Sequence, residues 1–265
     1  MQLTDLERYV FDTSGVLIRR NVVPIAVVES AIGLIQNRIQ AKAWKFPTLK
    51  LGGIFWDWMC MDEIFQPVLE MCGPHCRLDH AFGVRGGVNS EAPAQLHGGP
   101  DSSQHSCFYH NVGKPVGLIG QLSVGVTLKG QSPVTGGFCY LPGSHKAIRH
   151  IDGNTVFRDM FKYDQSHEAI TVPTLNPGDL VFFSESLVHG DTGARMPGFE
   201  RLMAYYKFTP GWMCWRDPDQ QAPYRLMAKT ERAKRLLEPP WTGRFDDADG
   251  VTMSTTNVRR KGTNE

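Results

Sequence analysis

The chain has 265 residues, of which 41% are hydrophobic, and its 28 basic and 27 acidic side chains leave a formal net charge of +1. This size favours one folded domain, and the balanced charge gives no electrostatic reason to expect a nucleic-acid polymer or a membrane as partner. The charge balance leaves a small-molecule partner, such as a ligand with phosphate, open, and the composition does not predict an oligomeric state. The acidic residues Asp5 and Glu7 precede any apolar run, so no signal peptide is indicated, and we expect a cytoplasmic location with reduced cysteines.

Two helices are predicted before the middle of the chain. Residues 22–40 carry apolar side chains at helical intervals. Residues 62–71 form a second, shorter helical pattern that ends at Cys72-Gly73. These segments predict a helical layer ahead of the body of the fold.

Short apolar segments separated by Gly, Pro, Asn and Asp follow and predict strands. They span residues 79–84, 95–97, 117–128, 137–141, 169–172, 179–184 and 201–209. Many short strands at this rhythm favour a mainly β fold with flanking helices, such as a sandwich, barrel or jelly roll. A surface helix is predicted at residues 224–237, and the polar, charged residues 243–265 predict a mobile tail.

Two histidines are the strongest candidates for a metal site. His97 and His189 each stand at the end of an apolar stretch beside glycine, where an imidazole can project without crowding. A mononuclear Fe(II) oxygenase holds its metal with two histidines and one carboxylate, and leaves positions open for cosubstrate and oxygen. The pair therefore indicates a non-haem iron site.

The order of the motifs resembles the phytanoyl-CoA dioxygenase family of Fe(II)/2-oxoglutarate-dependent oxygenases. The resemblance covers residues 60–212 and is most specific at residues 138–146, which contain a Pro-Gly-Ser-His-Lys turn. It implies a double-stranded β-helix, that is, a cupin-like jelly roll, within a single domain of residues 1–242. It also implies that His97 and His189 bind Fe(II), that Arg201 receives the distal carboxylate of 2-oxoglutarate, and that O2 is consumed.

Gly99 departs from the family pattern, which places a carboxylate at that position. Three interpretations stay open. The first is a radical halogenase in which chloride binds iron over Gly99, with a loose resemblance to nucleotide halogenases that chlorinate the sugar of a deoxyadenosine nucleotide in nucleoside antibiotic biosynthesis. The second is a hydroxylase in which Asp101 folds back or water fills the position. The third is a catalytically silent small-molecule-binding jelly roll.

Several other residues are candidates for the site. Gln104 could donate a hydrogen bond to the halide or the cosubstrate. The aromatic residues Phe55, Trp58 and Trp212 could contact a ring of the substrate, and Arg85 and Arg195 could bind a phosphate or carboxylate. Core packing and a solvent-exposed surface are the competing interpretations of these aromatic residues and cations.

Overall fold

The computed structural model describes residues 2–40, 43–87, 96–98, 109–110, 118–146 and 167–241. The strands of this part of the chain are β1 (Val16–Arg19), β2 (Lys45–Phe46), β3 (Arg77–Gly87), β4 (Leu96–His97), β5 (Tyr109–His110), β6 (Leu118–Ile119), β7 (Leu122–Lys129), β8 (Gly136–Tyr140), β9 (Leu180–Ser184), β10 (His189–Ala194) and β11 (Glu200–Thr209). The predicted tail, residues 243–265, lies outside the described residues.

The strands form a large and a small antiparallel sheet. The large sheet has the order β1-β9-β7-β11-β3-β2, the small one β4-β10-β8, and β5 pairs with β6. Apart from β2 and β3, neighbours in the large sheet are distant in sequence, as in a jelly roll, where strands return beside earlier ones. The prediction of a mainly β fold with flanking helices is confirmed.

The helices are α1 (Asp5–Ser14), α2 (Ile25–Arg38), α3 (Ile54–Cys60), α4 (Asp62–Cys72), α5 (Ala222–Met227) and α6 (Glu231–Leu236). The prediction of a helix at residues 62–71 is confirmed. The helix predicted from residue 22 begins at Ile25, because the N–H groups of Val22 and Val23 instead donate to the Gly178 carbonyl. The sequence analysis did not predict α1 or α3.

Two other predicted elements need correction. The single helix predicted at residues 224–237 is two short helices, since Ala228 is extended and the Thr230 side chain accepts from the Ala233 N–H to begin α6. The strand predicted at residues 169–172 is an isolated bridge between Thr171 and Tyr140. Pro173 follows at once and lacks the N–H that a longer ladder requires.

The large sheet buries both of its faces. Side chains alternate along β11, so that Leu202, Ala204, Tyr206 and Phe208 belong to the core under the helices. Met203 and Tyr205 belong to a second core with Phe138 and Tyr140 of the small sheet. Arg201 and Lys207 alternate along β11 in step with Met203 and Tyr205 and therefore point to the same face. Both cations thus lie on the inner face, between the two sheets.

Two sequence expectations concern the chain as a whole. The described cysteines Cys60, Cys72, Cys76, Cys139 and Cys214 are free thiols. Within the ranges that the structure describes, no helix combines the length and the apolar character that crossing a membrane would require.

Candidate active site

His97 and His189 lie opposite each other on neighbouring strands of the small sheet. β4 and β10 pair antiparallel with His189 directly across from His97, so both side chains leave the same face. The centroids of the two imidazole rings are 4.4 Å apart. His189 is buried and His97 is exposed. The structure therefore brings the two predicted ligands together at the edge of a cavity.

A backbone contact fixes the orientation of His189. Its Nδ1 lies 2.7 Å from the Leu187 carbonyl oxygen, which can only accept, so Nδ1 carries the hydrogen and Nε2 keeps its lone pair. Burial, reinforced by the neighbouring His97, lowers the pKa of His189 to about 3. A neutral imidazole held by a carbonyl at its second nitrogen is the form in which histidine binds metals.

Gly98 allows β4 to approach the segment that precedes His189. Its φ of 87° lies in the left-handed region, and a Cβ atom there would stand 2.4 Å from the Leu187 carbonyl oxygen. Any larger residue would push His97 away from its partner. Gly99, Asp101 and Gln104, the other predicted residues of this stretch, lie outside the described residues.

Glu185 is a buried carboxylate beside the histidine pair. Its Oε2 lies 3.8 Å from the Nε2 of His189, and its Oε1 accepts from Lys207 Nζ at 2.6 Å and from the Ser123 hydroxyl. Burial acts to raise the pKa of Glu185, but the charge of Lys207, the neighbouring His189 and the hydrogen bonds outweigh it, so that the pKa lies well below its ordinary value. Glu185 is therefore an anion in the protein interior.

Arg201 lies in the same cavity, as predicted, but it already has one anionic partner. Its Nη2 donates to Asp191, whose other oxygen accepts from the Gly193 N–H at 2.7 Å. Burial acts to lower the pKa of Arg201 and the charge of Asp191 raises it, with a net rise. The buried Nε of Arg201 has no hydrogen-bond partner among the described residues. A buried guanidinium donor of this kind suits a ligand carboxylate.

The cavity has a volume of about 260 Å³. Its aromatic walls are Trp44, Phe82, Phe138, Phe183 and Tyr205, and its polar groups are His97, His189, Asp191, Arg201 and Lys207. An apolar enclosure with a few convergent polar groups is typical of a small-molecule site.

The structure does not bring the predicted substrate-binding residues to this cavity. Phe55 and Trp58 are 0% and 3% exposed in the core beneath the helices, and they pack edge to face. Trp212 is exposed and absent from the cavity wall. Burial beneath the helices contradicts the predicted contact of Phe55 and Trp58 with a substrate ring, whereas the contact of Trp212 stays a prediction.

The two predicted anion-binding arginines also lie away from the cavity wall. Arg85 pairs in register with Leu202, which belongs to the core on the helix side, so it faces away from the site and contacts Glu200 at 3.3 Å. Arg195 is exposed and donates to the Pro133 carbonyl at 3.0 Å. Their predicted binding of a phosphate or carboxylate stays a prediction.

The sequence did not predict four parts of this cavity, namely Glu185, Asp191, Lys207 and the aromatic walls. Two signals were available. Residues 201, 203, 205 and 207 alternate along one strand and share a face, and Glu185 stands four residues before His189. What the sequence did not supply was the packing of one sheet against the other.

The described residues contain no group of three or more His, Cys, Asp or Glu side chains that could hold a metal as they stand. The two opposed neutral imidazoles nevertheless suit a divalent transition metal. The buried Nε of Arg201, which lacks a partner, suits a carboxylate-bearing cosubstrate. The donor set therefore fits Fe(II) with 2-oxoglutarate, with the carboxylate ligand still to be assigned.

Known proteins match both the sequence and the fold. The family model described as Phytanoyl-CoA dioxygenase (PhyH) matches residues 96–195. No curated protein sequence shows a significant match.

Three solved structures share the fold. HygX from Streptomyces hygroscopicus, with nickel and 2-oxoglutarate bound, has a TM-score of 0.68 at 23% identity, covering 81% of this chain and 90% of that one. EctD from S. alaskensis in its apoform has a TM-score of 0.58 at 16% identity, over 78% and 77%. The non-heme alpha ketoglutarate dependent epimerase SnoN from nogalamycin biosynthesis has a TM-score of 0.55 at 15% identity, over 78% and 80%.

These similarities confirm the predicted jelly roll. The nucleotide-halogenase resemblance finds no support among them and stays a prediction. The chain is thus an enzyme with a jelly-roll fold, and its residues 96–195 are similar to the phytanoyl-CoA dioxygenase (PhyH) family.

Proposed function

We propose that this enzyme is an Fe(II)/2-oxoglutarate-dependent oxygenase that oxidises an aliphatic carbon of a small molecule. One observation carries the proposal: two opposed histidines and a buried arginine with an available donor line the same cavity. Two imidazoles suit iron, and a guanidinium suits the distal carboxylate of 2-oxoglutarate. When bound, the iron would supply oxygen activation coupled to the oxidative decarboxylation of 2-oxoglutarate.

The residues of the chain would place the reactants. Leu187 holds the His189 ring through Nδ1 so that Nε2 is available. Arg201 orients the cosubstrate, while the walls formed by Phe82, Phe183 and Tyr205 exclude water from the reacting carbon. Because selectivity depends on which carbon is held nearest the metal, the cavity shape decides the product more than acid–base groups do.

The solved structures support a small-molecule substrate. HygX is described with iron bound and with nickel, 2-oxoglutarate and hygromycin B, and EctD with 2-oxoglutarate and 5-hydroxyectoine. SnoN is described as an epimerase. Hydroxylation and epimerisation are therefore both outcomes to test. A polar natural product acted on in the cytoplasm is the substrate class that we propose.

Radical halogenation is the second candidate, favoured by Gly99. In this alternative chloride occupies the position that lacks a carboxylate. Gly99→Asp should then abolish chlorination, so that the variant either hydroxylates the substrate or is inactive. If Asp101 folds back instead, Asp101→Ala should strip the iron.

The experiment that tests the proposal is a mass-spectrometric assay with Fe(II), 2-oxoglutarate, O2 and chloride, run on aminoglycosides, amino-acid derivatives and deoxynucleotides. Substrate-dependent succinate with a gain of oxygen supports hydroxylation. Succinate with an unchanged product mass and a new retention time supports epimerisation, and a chlorine isotope pair supports halogenation. A silent module would give no succinate above the iron-free control with any compound.

A further inference from the structure

We infer that Glu185 supplies the metal-binding carboxylate that Gly99 lacks, so that the ligands of the iron are His97, His189 and Glu185. The inference rests on the proposed function, because it concerns the metal which that function requires. The metal-binding carboxylate would then come from the turn that leads into the second histidine, and not from the usual position after the first.

Glu185 lies in the tight turn between β9 and β10, where its N–H donates to the Gln121 carbonyl at 2.9 Å and the Leu187 N–H donates to the Ser184 carbonyl at 3.0 Å. The turn places Glu185 Oε2 3.8 Å from His189 Nε2, the nitrogen with the available lone pair. Adjacent ligands of an octahedral ion with bonds of about 2.1 Å lie roughly 3 Å apart. A side-chain movement of less than about 1 Å would bring the two atoms to that separation.

The two oxygens of Glu185 differ in a way that suits this role. Lys207 and Ser123 both contact Oε1, whereas Oε2 makes no hydrogen bond in the part of the chain that the structure describes. One oxygen is thus anchored and the other faces the histidine. Ligating carboxylates are typically held by such outer hydrogen bonds.

The other nearby carboxylate is already committed. Asp191 uses one oxygen for Arg201 and the other for the Gly193 N–H. Among the described residues, Glu185 is the carboxylate within 4.0 Å of the His189 ring nitrogens. As they stand, the described residues form no complete three-ligand site. Binding therefore requires the Glu185 carboxylate to rotate, so that Oε2 turns toward the ion while Lys207 and Ser123 continue to hold Oε1.

The inference bears on the reaction. Two histidines and one carboxylate leave the remaining positions to 2-oxoglutarate and O2. No chloride is then needed to complete the site, and oxygen transfer is favoured over chlorination.

The test measures metal binding, with no need for the substrate. Apo protein is titrated anaerobically with Fe(II), and separately with Co(II), whose visible absorption spectrum reports its ligands. Glu185→Gln should weaken both metals at least tenfold and change the Co(II) spectrum. Glu200→Gln is the matched control. It removes a different carboxylate that is paired with a lysine, Lys129, and it should leave the metal affinity and the Co(II) spectrum unchanged.

A second variant keeps the test valid if Glu185→Gln folds poorly because Lys207 loses its partner. Glu185→Gln/Lys207→Met removes both buried charges and should show the same weakened binding. If either folded variant binds Fe(II) and Co(II) like the wild type, Glu185 is not a ligand, while the proposed function stands. If the wild type itself binds neither metal, both proposals fail.

Discussion

His97 and His189 face each other across β4 and β10 with ring centroids 4.4 Å apart, although strands β5 to β9 separate them in sequence. The return of β10 beside β4 creates this proximity. The proposed metal site thus depends on the pairing of β10 with β4.

Removing either histidine should remove the metal. Losing a residue that hydrogen-bonds to a metal ligand typically weakens metal binding about 10–100-fold. His97→Ala and His189→Ala should each weaken Fe(II) binding by more than that. His167→Ala, which changes a histidine away from the cavity wall, is the control. Anaerobic equilibrium dialysis measures all three. Metal binding that survives either site substitution would exclude that histidine as a ligand.

Gly98 should be intolerant of a side chain. Gly98→Ala forces a left-handed φ, which costs about 1–2 kcal/mol, and directs a methyl group against the Leu187 carbonyl oxygen. We expect His97 to shift and Fe(II) affinity to fall at least about tenfold, while circular dichroism still shows a folded protein.

Gly33→Ala is the contrasting control for Gly98. Gly33 lies within α2, and a Cβ atom there meets nothing within 4 Å. This change should stabilise the protein by about 0.5–1 kcal/mol and leave metal binding unchanged. Equal Fe(II) affinity in Gly98→Ala and Gly33→Ala would show that the close approach at Gly98 does not position His97.

Arg201 should set the affinity for 2-oxoglutarate. Arg201→Lys keeps the charge but loses the planar fork, so the dissociation constant for 2-oxoglutarate should rise about 10–100-fold. Asp191→Asn keeps an oxygen acceptor for Arg201 and removes a negative charge that repels the carboxylate of 2-oxoglutarate. Losing a repulsion of about 1 kcal/mol should tighten 2-oxoglutarate binding roughly fivefold. Calorimetry with Ni(II)-loaded protein measures both constants. Unaltered affinity in Arg201→Lys would place the cosubstrate elsewhere.

Acid should destabilise the fold through His145. This residue is 2% exposed in the Pro-Gly-Ser-His-Lys turn, where Nε2–H donates to the Asp12 carbonyl at 3.1 Å, and burial lowers its pKa to about 4. Because the unfolded state has the higher pKa, it binds the proton first, and stability is lost as the pH falls from about 6.5 toward 4.

The His145 effect amounts to about 2 kcal/mol between pH 7 and pH 5. Urea unfolding of the wild type and of His145→Gln at both pH values measures it. The free-energy difference between the two proteins should change by that amount. A difference that is independent of pH would mean that His145 keeps an ordinary pKa in the folded protein.

The sequence predicted the fold class and the residues with a strong local signature. His97, His189 and Arg201, which line one cavity, were predicted because each stands at a strand end within a recognisable motif. Glu185 and Lys207 were not predicted, since their spacing from Arg201 and His189 does not show that the turn and the strand pack together as an ion pair. Phe55 and Trp58 were misassigned because an aromatic cluster looks the same in sequence whether it packs under a sheet or lines a cavity.

Anaerobic Fe(II) binding in the absence and presence of 2-oxoglutarate tests the central claim most directly. The account predicts one iron per chain, bound more tightly when 2-oxoglutarate is present, with that gain lost in Arg201→Lys and all binding lost in His189→Ala. Absence of bound iron, or an affinity that 2-oxoglutarate leaves unchanged, would contradict a shared iron and 2-oxoglutarate site.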